Sequence, residues 1–357
     1  MIFDREAYFD IISGKRTDLF ARACRAGLSL LEVPYSLVMR IRNFMFDKGL
    51  RKMHKLDVPV ISVGNLTVGG TGKTPFVAWL AQKFLDEGKL PAIVSRGYHA
   101  DETGWNDEAK ELKLLLPDVP QAFSKERVMA AKSLLAEYNH NKSKKSIDVI
   151  ILDDGFQHRK LYRDKNILLI DATNPFGYNR LTPRGLLRES ISGIRRADIV
   201  LLSRADRADR RKKDELRSVV KKYSPNAFWQ EITHTPRFLL FPSGKKEEIQ
   251  AISGKSVIAF CGLGNPDVFF QTIEDCGCRV LDRLTYPDHH IYTKDDVRKI
   301  VDLSQTVVAQ YTICSLKDFV KIQNELKDSD GICAIIIGVK ADFLPFSTFW
   351  VEKRHLL

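Results

Sequence analysis

Between Val60 and Thr74 an apolar run, Val60-Ile61-Ser62-Val63, precedes a glycine-rich turn and the triplet Gly72-Lys73-Thr74. Glycines let a backbone come close to a phosphate. Successive N–H groups of such a turn, with the positive end of the helix that follows, then hold the phosphate charge. In this arrangement Gly69, Gly70, Thr71 and Gly72 form the cradle, Lys73 reaches the outer phosphates of a nucleotide, and the Thr74 hydroxyl ligates Mg²⁺. The spacing departs from the strict phosphate-loop pattern because Thr67 stands where the first glycine belongs. Gly64, Gly69 and Gly70 supply the missing freedom.

A second chemical signal lies at Val149-Ile150-Ile151-Leu152, an apolar run that ends in Asp153 and Asp154. A strand beside a phosphate loop carries its terminal carboxylate close to the metal. Adjacent acids at a strand end point in different directions, so Asp153 is the metal candidate and Asp154 can face an acceptor. Gly155-Phe156-Gln157-His158 follows, and a water-orienting Gln157 keeps an ATPase or GTPase reading open. Asn106-Asp107-Glu108 reads as a loop after the second strand, where Asp107 can accept or orient the proton of an attacking hydroxyl. Tyr286-Pro287-Asp288-His289-His290 joins a histidine pair to a carboxylate, which fits catalysis or metal binding on one reading and a surface turn on the other.

These groups need rigid supports, and the chain alternates strand and helix signals on both sides of them. Apolar runs at 60–63, 92–95, 149–152, 167–170 and 199–202 do not alternate with polar residues, which predicts strands buried on both faces of a mostly parallel sheet. Helices are expected over 75–86 and 125–138. The pattern breaks at Thr233-His234-Thr235-Pro236, and a second alternation runs through 238–241, 257–260, 280–281, 312–314 and 334–337. The fold expected is a P-loop NTPase-like α/β/α sandwich over 58–232, with a smaller α/β domain over 233–357 that closes over a cleft. An amphipathic helical segment over 1–57 precedes them.

The net charge of +11 calls for an anionic partner: nucleic acid, acidic phospholipid or a phosphorylated substrate. The basic residues do not interleave with aromatics, which speaks against nucleic acid. Leu30, Val33, Leu37, Ile41 and Phe44 recur at helical spacing, and Arg40, Arg42, Lys48, Arg51, Lys52 and Lys55 crowd beside them. Such a helix either lies on a membrane surface or packs on the core, with Pro34 kinking or breaking it. No run of about 18 apolar residues is long enough to span a bilayer. The mixed start Met1-Ile2-Phe3-Asp4-Arg5-Glu6 does not read as a cleavable signal. Six scattered cysteines fit reduced thiols better than a metal site.

In order along the chain, the motifs run from 64 to 75, Ser95-Arg96-Gly97-Tyr98, 153–158, 180–189, Ser203-Arg204-Ala205-Asp206 and 287–290. Over about residues 20–345 this series resembles the tetraacyldisaccharide 4′-kinases, the lipid A 4′-kinases of Gram-negative envelope synthesis. The resemblance implies transfer of the ATP γ-phosphate to the 4′-hydroxyl of a tetraacyl glucosamine disaccharide 1-phosphate. It implies Mg²⁺, and a peripheral place at the cytoplasmic face of the inner membrane. It matches Lys73 and Thr74 to phosphate and metal residues, and Arg127 to an arginine on the nucleotide phosphates. The family's Gly-Asp-Glu-Pro loop becomes Asn106-Asp107-Glu108-Ala109, with Asp107 as the base. Asp154 and His289 match a pair that assists across the domain cleft. Of the family's Thr-Glu-Lys-Asp motif, Ser315-Leu316-Lys317-Asp318 keeps the last two residues. The N-terminal helix becomes the membrane and lipid contact. No nucleic acid and no obligate protein partner are implied.

Overall fold

The structure is a computed structural model that describes residues 5–97, 106–140, 145–288, 290–327 and 331–341. Two helices open it, α1 (Arg5–Ser13) and α2 (Leu19–Asp47). The Asp18 side chain caps α2 by accepting from the Ala21 N–H at 3.1 Å. The helix runs unbroken through Pro34, which is exposed. One side of α2 grips the body: the Tyr35 hydroxyl donates to the Arg188 carbonyl at 2.8 Å, and Glu32 accepts from the Leu181 N–H at 2.8 Å. The opposite side leaves Leu30 75%, Leu37 57%, Ile41 50% and Phe44 54% exposed, an apolar stripe along the helix.

Next come β1 (Val60–Asn65), α3 (Lys73–Asp86), β2 (Pro91–Ser95), α4 (Asp107–Leu115), β3 (Gln121–Phe123), α5 (Arg127–His140) and β4 (Val149–Leu152). They are followed by β5 (Lys165–Asp171), β6 (Ile199–Ser203), α6 (Arg210–Tyr223) and β7 (Phe228–Glu231). The strands form a seven-stranded sheet in the order β3-β2-β4-β1-β5-β6-β7, parallel throughout. The period-two geometry of a strand sorts its residues. Ile61, Val63, Ile93, Ile151 and Leu169 pack under α3 and α4 with Phe76, Leu80 and Leu112. Their neighbours Val60, Val94, Ile150 and Leu152 pack under α5, and Leu168, Val200 and Leu202 under α6. Both faces are covered, which is why these runs are apolar without alternation.

A second sheet uses β8 (Thr233–Leu240), β9 (Lys246–Glu248), β10 (Ser256–Cys261), β11 (Arg279–Thr285), β12 (Tyr311–Ser315) and β13 (Ile332–Lys340). Its order is β11-β10-β12-β13-β8-β9, with β8 antiparallel to both its neighbours, β13 and β9, and the other pairs parallel. Helices α7 (Pro266–Glu274), α8 (Lys294–Thr306) and α9 (Leu316–Ile322) complete it. Gly262-x-Gly264 lies in the turn from β10 to α7, as its spacing suggests. The second sheet meets the first on the α3–α4 side, where Val339 of β13 enters the core beneath α3 and α4 packs along α9.

The sequence reading placed Asn106-Asp107-Glu108 in a loop, and the structure corrects this. Asn106 is an N-cap whose side chain accepts from the Ala109 N–H at 2.9 Å, and Asp107 and Glu108 form the first turn of α4. Acids in a first turn favour the helix dipole, a local signal that loop-like composition concealed. Among the described residues, no helix is long and apolar enough to cross a membrane.

Candidate active site

β1 ends at the centre of the parallel sheet, and the loop to α3 turns at the carboxyl edge, where open α/β sheets leave a crevice. Gly69 and Gly72 take left-handed backbone angles, φ 119° and 81°. Gly72 is the N-cap of α3 and offers no side-chain acceptor, so the first N–H donors of the helix have no cap from it. The loop is held from outside. Ser203 donates its hydroxyl to the Thr71 carbonyl at 2.9 Å, Arg204 donates to the Gly70 carbonyl at 3.0 Å, and the Val68 N–H donates to Leu186 at 2.7 Å. His234, at the start of β8, packs against Gly72 with Nε2 3.4 Å from its carbonyl oxygen. A β-carbon at 72 would lie 2.4 Å from that nitrogen, so only glycine fits. Burial, reinforced by Arg204, lowers His234 to about 4, and the ring is neutral at pH 7.

Lys73 opens α3, and its Nζ lies 3.3 Å from Asn65 Oδ1 and 3.5 Å from Asp154 Oδ1. Thr74 follows it in the first helical turn. Asp154 sits at φ 46°, which swings its side chain away from that of Asp153. Arg188 donates to both Asp154 oxygens, at 2.9 and 2.7 Å, and the buried Arg127 donates to the Asp154 carbonyl at 3.0 Å. The two carboxyls are driven apart in acidity. Burial first, then the charges of Glu108 and Asp154, push Asp153 well above the usual carboxylate range. Burial also works to raise Asp154, but Lys73, Arg188 and Arg127 outweigh it and hold that group well below the range. Neighbouring acids with opposed shifts are the signature of divided roles. Asp153 Oδ1 is buried and, among the described residues, has no hydrogen-bond partner, an oxygen donor suited to a hard divalent cation or its water shell.

Asp107 lies at the seam with the second sheet, where its Oδ2 is 3.3 Å from Lys321 Nζ. Its neighbour Glu108 is near enough for its charge to raise Asp153. The structure therefore brings Lys73, Thr74, Arg127, Asp153 and Asp154 together around β1 and β4, with Asp107 arriving on α4. His289 lies outside the described residues, as does Tyr98. Gln157 donates its amide to the Asn65 carbonyl and to Glu189 Oε1, both at 2.9 Å, and so braces the cradle. Glu189 is 1% exposed and also accepts from Asn43 at 3.0 Å and Arg196 at 2.7 Å. Roles for Arg188, Glu189, His234 and Lys321 escaped sequence reading. The one local hint was the charged pair Arg188-Glu189 after the apolar Leu186-Leu187. Beside Glu189, a cavity of about 300 Å³ opens between α2 and residues 189–196, lined by Arg40, Asn43, Phe44, Ser190, Arg195 and Arg196 among others.

Comparison with known proteins gives one consistent answer. The family model for tetraacyldisaccharide-1-P 4′-kinase matches residues 24–353. A tetraacyldisaccharide 4′-kinase of Halothermothrix orenii is 36% identical over 326 residues, covering 84% of this chain and 83% of that protein. One from Desulfatibacillum aliphaticivorans is 36% identical over 344 residues, covering 89% of each. The crystal structure of LpxK from Aquifex aeolicus in complex with ATP superposes with a TM-score of 0.70 at 29% identity, covering 90% of this chain and 96% of that one.

Proposed function

Because this chain belongs to the tetraacyldisaccharide 4′-kinase family, a family of lipid A biosynthesis kinases, we propose that it moves the ATP γ-phosphate to the 4′-hydroxyl of a tetraacyl glucosamine disaccharide 1-phosphate. The observation that carries this reading is the convergence of Lys73, Arg127 and Arg188 on the Asp153–Asp154 strand end beneath a glycine-rich loop. Phosphoryl transfer needs positioning and charge neutralisation more than covalent help from the protein. Gly69 to Gly72 present backbone N–H groups to the phosphates, and Lys73 leaves Asp154 to meet the γ-phosphate. Arg127 adds charge from below. Thr74 and Asp153 would hold Mg²⁺, which would supply charge neutralisation for the transferring phosphate. Asp107 accepts the hydroxyl proton and aims the oxygen, while Asp154, on the cradle side, and His289, in the second unit, assist as a pair across the cleft. Residues 233–357 form the unit that closes it, with 58–232 as the kinase core and 1–57 as the membrane-associating segment.

The apolar stripe of α2, flanked by Arg40, Lys48 and Arg51, supports a peripheral seat on an anionic leaflet, at the cytoplasmic face of the inner membrane. The cavity beside Glu189 lies at the foot of that stripe, so a lipid whose chains follow the stripe presents its polar head there.

The test is incubation of the purified protein with γ-labelled ATP, Mg²⁺ and detergent-dispersed tetraacyl disaccharide 1-phosphate. Label in the lipid, lost in Asp107→Ala, is the expected result. Phosphate release that ignores the lipid would instead establish an ATPase. For the membrane seat, Leu37→Glu with Ile41→Glu should abolish flotation with anionic vesicles while leaving the melting temperature unchanged, since both side chains already face solvent.

A further inference from the structure

The seam between α4 and α9 contains a cation to which neither the sequence motifs nor the proposed chemistry gives a role. Lys321 is on the last turn of α9, with its side chain 10% exposed. Its ammonium lies 3.3 Å from Asp107 Oδ2 on α4 and 3.7 Å from Asp318 Oδ1 on its own helix. It donates to the His290 carbonyl at 3.1 Å and stands 5.8 Å from the centre of the Tyr292 ring. Asp318 is itself fully buried and spent on architecture, accepting from the Gly262 N–H at 2.9 Å and from Ser315. The second lysine of the seam, Lys317, is engaged 2.7 Å from Asp288. Glu108 and Glu111 add two more acids to the same end of α4. Lys321 is thus a cation that fastens Asp107 to the second sheet.

We propose that Lys321 is a positioning residue: its ammonium fixes the Asp107 carboxylate and ties that placement to the docking of the second sheet. This rests on the reading of Asp107 as the base. Three contacts from one ammonium define a point rather than a direction, and the carboxylate that shares it loses the freedom to rotate. Without the cation, Asp107 and Asp318 lose the ammonium that neutralises both across the seam, and the base is less firmly placed. A displacement of about 1 Å costs about 100-fold in rate.

The experiment measures kcat and KM for ATP in Lys321→Met, Asp107→Asn and the double variant, with melting curves for each. Lys321→Met is expected to lower kcat by about 100-fold with KM for ATP unchanged, because the loop and Lys73 are untouched. Lys321→Arg, which keeps a cation, is expected to recover most of that loss. In the Asp107→Asn background Lys321→Met should cost nothing further, since its effect runs through Asp107. Should Lys321→Met fail to fold, Lys321→Gln keeps a donor for the His290 carbonyl, drops the charge and carries the same test. Independent, multiplying losses in the double variant overturn the inference, as does a loss seen only in KM. Full kcat in Asp107→Asn overturns the base reading and the inference with it. Loss in Asp107→Asn with full kcat in Lys321→Met overturns the inference alone.

Discussion

The acids at the end of β4 and those on α4 are close enough to feel each other's charge, yet they are held by different means. Asp153 and Asp154 sit at the carboxyl edge of a parallel sheet, and the cations that fix Asp154 (Lys73, Arg127 and Arg188) come from segments attached to that same sheet. Asp107 is paired with Lys321, which arrives on α9 of the second sheet. The first group is assembled once the seven-stranded sheet has formed. The second exists only while the two sheets are in contact. A phosphate cradle can be rigid, but a group that must meet an acceptor gains from belonging to a contact that can open and close.

This contrast can be broken by substitution. The largest effect is expected from Asp107→Asn, which should cut kcat by about 100- to 10,000-fold while leaving nucleotide affinity intact, read by steady-state kinetics and by titration with ATP. Lys73→Ala should lower kcat/KM by about 100- to 1,000-fold and, unlike the seam variant, weaken ATP binding as well. If both variants lose only kcat, the division between cradle and seam fails. Arg188→Gln removes both charge-assisted bonds to Asp154 and should cost about 1–3 kcal/mol of stability, seen as a lower melting temperature. The equivalent change at Lys321 should loosen the seam with less effect on the melting of the seven-stranded sheet.

The smallest effect concerns Glu111, half-buried on α4, where burial and then Glu108 push its carboxyl up to about 8. The folded value lies above the ordinary 4.5, so the bound proton stabilises the fold fully below that pH, and the stabilisation is lost as pH rises towards 8. Glu111→Gln should therefore raise the melting temperature by about 2–4 °C at pH 8, with the gain vanishing below about pH 4.5. A gain that is equal at both pH values would show that burial at the seam does not disfavour the charge.

Much of the cradle was legible because its signals are local. The runs at 60–63, 92–95 and 149–152 could be recognised as doubly covered strands, and β1, β2 and β4 follow them within two residues at each end. Strands β3, β7 and β9 were missed. They are short, and β3 and β7 lie at the edges of the first sheet while β9 edges the second, where one missing neighbour relaxes the demand for apolar residues. The helical start at Asp107 was hidden by acids that look like loop composition until Asn106 is seen to cap them. Arg188, Lys321 and His234 carry no pattern of their own. Each acts on a residue 34 or more positions away, and Lys321 meets Asp107 across more than two hundred residues of chain. Only the paired register of the sheets brings such partners together. Of the kink and the break that Pro34 suggests, the break does not occur, since α2 continues through it with the ring exposed.

One contact ties the two regions together more tightly than any charge. The His234 imidazole occupies the space that a β-carbon of Gly72 would need, and β8 is pinned to β13 from Thr233↔Lys340 to Leu240↔Ala334. A thermal excursion of the loop towards β8 therefore has nowhere to go unless the six-stranded sheet moves with it. Loop and sheet share one degree of freedom, and whatever quiets the loop quiets the sheet. Ordering entropy lost once, when a nucleotide settles on Gly72, is shared by the strand that carries His234. Amide exchange along β8 should slow on addition of ATP, although no atom of β8 is asked to touch it.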